Sequence, residues 1–177
     1  MSVVDFDRVK ELREVTSCGI MDCKKALEQA SGDMEQAKEI LMKRGLEIAA
    51  KKGSRTAKEG RVEVYVHMGN KLAVLVEVNC ETDFVARNED FCQFAKDVAM
   101  HIAATNPSYI KEADIPEDIL ASQKDKNLFL KEQCLLAQPF VKDPSKTIQD
   151  YLNTLVAKIG ENILISRFER YRVGEVE

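Results

Sequence analysis

The chain has 177 residues, of which 32% are charged and 45% apolar, and it carries a formal net charge of −4. Those values fit one medium globular core or a small domain beside a larger one, and they argue against a general nucleic-acid binder, which would need a basic face. No apolar run approaches the roughly 20 residues that span a bilayer, and residues 1–5 lack a signal-peptide pattern, so the expectation is a cytoplasmic protein with no membrane contact.

Residues 5–16 place Phe6, Val9 and Leu12 at helical spacing, and Thr16-Ser17-Cys18-Gly19 interrupts them with turn formers. A second short helix is predicted over 21–30. Ser31-Gly32-Asp33 reads as a tight turn, with Asp33 capping a third helix over 34–44 and Gly45 ending it. The result is a three-helix unit of about 45 residues, too small to bury more than a modest core. Ile20 and Met21, at its first turn, could serve either core or contact surface. Residues 46–61 form a basic joint, helical at first and then a linker, in which Lys51, Lys52, Arg55 and Lys58 accompany Gly53, Ser54 and Gly60. Such a run is either a solvated face or a phosphate-contacting strip.

Val62, Val64, Val66 and Met68 then alternate up to Gly69-Asn70, and Leu72, Val74, Val76 and Val78 alternate after it. Two turn residues between alternating runs predict an antiparallel hairpin. The second run stops at Asn79-Cys80-Glu81-Thr82-Asp83-Phe84-Val85, which leaves a large aromatic beside an acid at a strand end. Phe84 is either a core residue closing a strand-to-helix corner or a wedge for a partner, because leaving it in water forgoes roughly 1.5–3 kcal/mol of burial.

A helix is expected over 88–104, with Phe91, Phe94, Ala95, Val98 and Ile102 on one face and Asn106-Pro107 ending it. A longer helix is expected over 117–138, its polar middle at 123–127 projecting from the body. Pro139-Phe140-Val141 and Asp143-Pro144 break the chain before a last helix over 147–159, and residues 163–168 supply a third strand. The fold class is therefore α+β: an N-terminal three-helix domain, then a three-stranded antiparallel sheet packed with helices. The domain reading is 1–45, a joint over 46–61, and 62–177.

The five cysteines, at 18, 23, 80, 92 and 134, form no Cys-x-x-Cys pair, and the two histidines, His67 and His101, lie near none of them in sequence. The expectation is reduced, mostly buried thiols, no metal and no cofactor. No nucleophile motif, zinc motif or phosphate-cradling loop is present, so covalent chemistry is not expected.

Two segments carry a family resemblance. Residues 12–27, Leu12-Arg13-Glu14-Val15-Thr16-Ser17-Cys18-Gly19-Ile20-Met21-Asp22-Cys23-Lys24-Lys25-Ala26-Leu27, resemble the opening signature of the elongation factor Ts family, and residues 77–85 resemble its second signature. Ser31-Gly32-Asp33 and residues 157–162 resemble further landmarks, and the N-terminal unit resembles a ubiquitin-associated-type domain. The resemblance implies a guanine nucleotide exchange factor for elongation factor Tu, without covalent chemistry. It implies that Thr82, Asp83, Phe84 and Val85 form a GTPase-contacting loop that displaces magnesium contacts, and that Arg13, Ile20 and Met21 grip a second surface of the same GTPase. Where the family commonly has methionine, this chain has Ile20. Longer members have two related α+β halves and this chain has room for one, which implies the short form and a homodimer. Two other readings stand beside this one. In the first, an interaction module, the helical unit binds a ubiquitin-like partner or nascent chain. In the second, a small enzyme uses Asp83 and nearby lysines.

Overall fold

The computed structural model describes residues 5–16 and 18–175. Ser17, part of the expected first turn, and residues 1–4, read above for a leader, lie outside the described residues. The chain forms two compact units, one of residues 1–55 with 153–162 and the other of residues 56–152 with 163–177.

In the first unit, α1 (Phe6–Thr16), α2 (Ile20–Gln29) and α3 (Met34–Lys52) follow the expected order. Val9, Leu12, Cys23, Ala26, Leu27, Ala30, Ala37 and Leu41 make their common core. Phe6, read as part of the α1 apolar face, is instead exposed. Asp33 caps α3 by accepting from the Gln36 N–H at 2.9 Å, and Ser31 and Gly32 take the left-handed conformations that the turn requires.

Gly45 does not end α3, which continues to Lys52. This glycine is buried within the helix, and a Cβ on it would lie 3.5 Å from that of Ala157. It lies inside the helix beside Ala157 at ordinary contact distance and is not a terminator. The extended α3 ends in a basic last turn, where Lys52 Nζ donates to the Gly160 carbonyl. The joint is therefore helix over 46–52, irregular over 53–58, and already strand β1 from Glu59.

In the second unit, β1 (Glu59–Val66) and β2 (Leu72–Cys80) pair antiparallel, with Glu59 opposite Cys80 and Val66 opposite Ala73. Gly69 and Asn70, both at positive φ, form the bend, as expected. The strand α5 covers is β2: Val74, Val76, Val78 and Cys80 are fully buried against α5 (Glu89–Thr105), whose Phe91, Phe94, Ala95, Val98 and Ile102 are all buried. The third strand is longer than expected, β5 (Leu164–Arg172), and it pairs antiparallel with β2, giving the order β1-β2-β5. The fold is α+β.

The expected helix over 117–138 is two short ones, α6 (Glu117–Ser122) and α7 (Lys126–Gln133). Gln123 turns extended between them and Asp125 caps α7 through the Leu128 N–H at 3.0 Å, so the polar middle favours a break over a projecting helix. The Pro139 and Pro144 region, read as a simple break, is a small ribbon in which β3 (Pro139–Phe140) pairs with β4 (Asp143–Thr147). A capping box opens α8 (Ile148–Ile159): Thr147 Oγ1 accepts from the Asp150 N–H and the Asp150 carboxylate accepts from the Thr147 N–H.

The sheet's other face is unusual. Val62, Val64, Val66 and Leu75 are exposed, and beside them Tyr171 continues the same face across β5. Their alternation in sequence is real, but on β1 it is Arg61, Glu63 and Tyr65 that turn toward the helices, while the valines point away.

Candidate functional site

Strand β2 ends at Cys80, and the chain then makes one turn of helix, α4 (Asp83–Ala86), before α5 begins. Thr82 caps α4, its hydroxyl accepting from the Val85 N–H at 3.5 Å. Asn88 caps α5 through the Asp90 and Phe91 N–H groups. Two caps six residues apart force a tight corner, and Phe84 sits at its outside.

Phe84 is 81% exposed. A core role for it would have required burial behind the corner, where Phe91 and Phe94 already fill the space under β2. Thr82, Asp83 and Val85 are half-buried around it. Asp83 pairs with Arg87 at 2.8 Å, one helical turn on, and both groups remain substantially in water. The four expected loop residues are thus together on one turn, with an apolar ring presented outward and a carboxylate beside it. Sequence reasoning passed over Arg87, although its spacing four residues after Asp83 is the signal for an ion pair on a helix.

The second set lies on the first unit. Ile20 and Met21 open α2 and are exposed, 41% and 59%, which resolves their role away from core packing. Arg13 is exposed near the end of α1 and lines a shallow cleft with Lys10, Glu14 and Lys158. Asp22, next to Met21, pairs with Arg44 of α3 at 3.0 Å and so steadies the start of α2.

The cysteines are free. Burial pushes the Cys23 and Cys134 thiols above their ordinary range. His101 is fully buried, its Nε2 bonded to Gln138 Oε1 at 2.9 Å and its Nδ1 accepting from the Val141 N–H, and burial lowers its pKa. Among the described residues no group of three or more His, Cys, Asp or Glu side chains is arranged to hold a metal ion, and no helix is long and apolar enough to cross a membrane.

Phe84 thus stands exposed on a corner held by the Thr82 and Asn88 caps. A family model described as Elongation factor TS matches residues 9–127 and 125–175. The chain belongs to the elongation factor Ts family. Relatives bearing that name include one from Caldanaerobacter subterraneus subsp. tengcongensis, 47% identical over 98% of both chains. Another, from Carboxydothermus hydrogenoformans, is 48% identical over 98% of this chain and 90% of its own. A third, from Herpetosiphon aurantiacus, is 49% identical over 97% of this chain and 98% of its own. In this elongation factor Ts family member, Phe84 at the corner between β2 and α5 is among the described apolar side chains that the packing of the chain itself leaves exposed.

Proposed function

We propose that the protein is a cytoplasmic translation elongation factor that promotes GDP release from elongation factor Tu and lets GTP bind, without covalent chemistry, cofactor or direct nucleic-acid contact. The observation that carries the mechanism is Phe84, presented outward on a capped, one-turn helix. Phe84 enters a pocket of the GTPase near its nucleotide site, while Thr82, Asp83 and Val85 complete a loop that disturbs the magnesium and phosphate contacts holding GDP. Coupling of this kind is reciprocal: a factor that weakens nucleotide binding is itself weakened by nucleotide to the same degree. A rigid wedge suits the task because little of its binding energy goes into ordering it.

Arg13, Ile20 and Met21 grip a second surface of the same GTPase. Their exposure supports this, and the isoleucine supplies a stiffer contact than methionine would. In this division residues 1–45 grip, residues 46–61 join, and residues 62–177 exchange and dimerise. The homodimer forms through the open sheet face at Val62, Val64, Val66 and Leu75, because these exposed side chains leave an apolar patch to cover.

The test is release of fluorescent GDP from purified elongation factor Tu under excess unlabelled nucleotide. Accelerated release that grows with protein concentration and saturates is expected. Capture of the GTPase without faster release would overturn the exchange reading.

A further inference from the structure

The turn that carries Phe84 is too short to hold itself. A four-residue helix leaves its last carbonyls without intrahelical donors. In α4 the Phe84 and Val85 carbonyls are met by the N–H groups of Arg87 and Asn88 at 3.3 and 2.9 Å. The Ala86 carbonyl is met differently, by the Cys92 S–H of α5 at 3.7 Å. At the other end of the turn, the Thr82 carbonyl accepts from the Ala86 N–H and from the Cys80 S–H, the latter at 3.1 Å.

A thiol is a weak donor, so the Cys92 contact alone would be a poor anchor. Behind it stands a charge. Arg61 of β1 donates through Nη1 to Cys92 Sγ, and its Nη2 is held by Glu63, on the same face of β1, at 2.7 Å. A cationic donor on the sulfur polarises the S–H and strengthens the bond it makes onward. Arg61, Cys92 and the Ala86 carbonyl therefore form a hydrogen-bonded chain from the sheet to the far end of the Phe84 turn, with the Glu63 carboxylate beside Arg61 as its counter-charge. Nothing in the covering of the sheet requires this, since Arg61 occupies a helix-facing position where an apolar residue would pack more simply.

We propose that Arg61 and Cys92 are positioning residues for Phe84, fixing the angle at which the turn leaves the sheet. Their influence on exchange rests on the function proposed above, whereas their influence on the turn does not. The chain has no tryptophan, so Phe84→Trp places a sole indole at the turn, and its time-resolved anisotropy reports local motion without any GTPase present.

In that background Cys92→Ala and Arg61→Gln are expected to raise the amplitude of fast depolarisation about twofold, with Cys92→Ser close to the parent because a hydroxyl can still accept and donate. With Phe84 intact, Cys92→Ala is expected to lower the saturated rate of GDP release threefold or more, while Cys92→Ser stays within twofold. A role in packing alone would rank serine no better than alanine. An unchanged fast amplitude in both Cys92→Ala and Arg61→Gln overturns the proposal, as does Cys92→Ser matching Cys92→Ala, or normal release despite a loosened turn. Should Cys92→Ala fail to fold, the Arg61→Gln amplitude decides. Should the unmodified protein fail to accelerate release, the exchange reading falls and the anisotropy result alone judges this one.

Discussion

Two aromatic side chains in this protein have opposite environments and opposite expected sensitivities. Phe84 keeps only about a fifth of its surface out of water, so truncation to alanine removes roughly 0.3–0.6 kcal/mol of burial. Phe84→Ala is expected to slow saturated GDP release at least tenfold, about 1.4 kcal/mol of lost transition-state stabilisation, while moving Tm by under about 2 °C. A large drop in Tm with near-normal release would remove the wedge. His101, in contrast, is sealed. Its Nδ1 already accepts from the Val141 N–H, so a proton there would face that donor and break the bond. Burial holds its folded pKa below the ordinary value of 6.5. Above pH 6.5 the ring is neutral in both states and costs nothing. As pH falls below that, the unfolded chain takes up a proton that the folded chain refuses, and stability declines with a slope approaching about 1.4 kcal/mol per pH unit until the folded pKa is reached. Glu77 and Asp143, held low chiefly by hydrogen bonds from Arg167 and Ser145, lose their contributions only as pH falls through the carboxylate range, from their ordinary values of 4.5 and 3.8 downward. Thermal unfolding between pH 6.5 and 5 therefore isolates the histidine, and His101→Gln is expected to flatten that stretch.

At the level of elements, two glycines in regular structure have contrary consequences. Gly60 lies in β1 at φ +150°, and a Cβ there would press on the Val78 carbonyl and come within 2.8 Å of the Asn79 Cα. Gly60→Ala is expected to cost roughly 1–3 kcal/mol in urea unfolding by forcing the hairpin apart. Gly45, inside α3, meets only ordinary contact distances. Gly45→Ala should stabilise by roughly 0.5–1 kcal/mol through helix propensity, and a loss in the same assay would show that the approach at Ala157 is tighter than these distances state. These glycines also mark what the sequence could and could not disclose. The hairpin, the α5 face and the Thr147 start of α8 were legible because period, turn residues and caps agree there. Gly45 misled because a glycine after a periodic run signals termination equally with close packing, and only the incoming Ala157 decides. The break within 117–138 depended on Gln123 and Asp125 favouring a cap over a continuous helix. For the site, Thr82 to Val85 were legible as a group, yet Phe84's exposure was not, since that follows from Phe91 and Phe94 occupying the space beneath β2. Arg61 and Cys92 were invisible because 31 residues separate them.

The open sheet face presents Val62, Val64, Val66 and Leu75 to water beside the Glu77–Arg167 ion pair and Glu169, and Val64 pairs opposite Leu75. Sedimentation at tens of micromolar is expected to give a dimer for the native sequence and a monomer for Val64→Glu, with residues 1–45 still folded and exchange reduced. A monomeric native protein with full exchange would refute the assembly. Both compact units, moreover, draw on widely separated stretches of chain. The helical core is complete by residue 52, but the 153–162 stretch of that unit comes much later, and β2 gains its second neighbour only when residues 164–172 exist. Between the end of β2 at Cys80 and the start of β5 at Leu164 lie residues 81–163, which at translation rates of about 5–20 residues per second take roughly 4–17 s to synthesise. For that interval the most apolar strand of the protein has one open edge on the ribosome. A factor that serves translation would thus itself be exposed, while being made, to mispairing or chaperone capture at Val74, Val76 and Val78, until its own final strand closes the sheet.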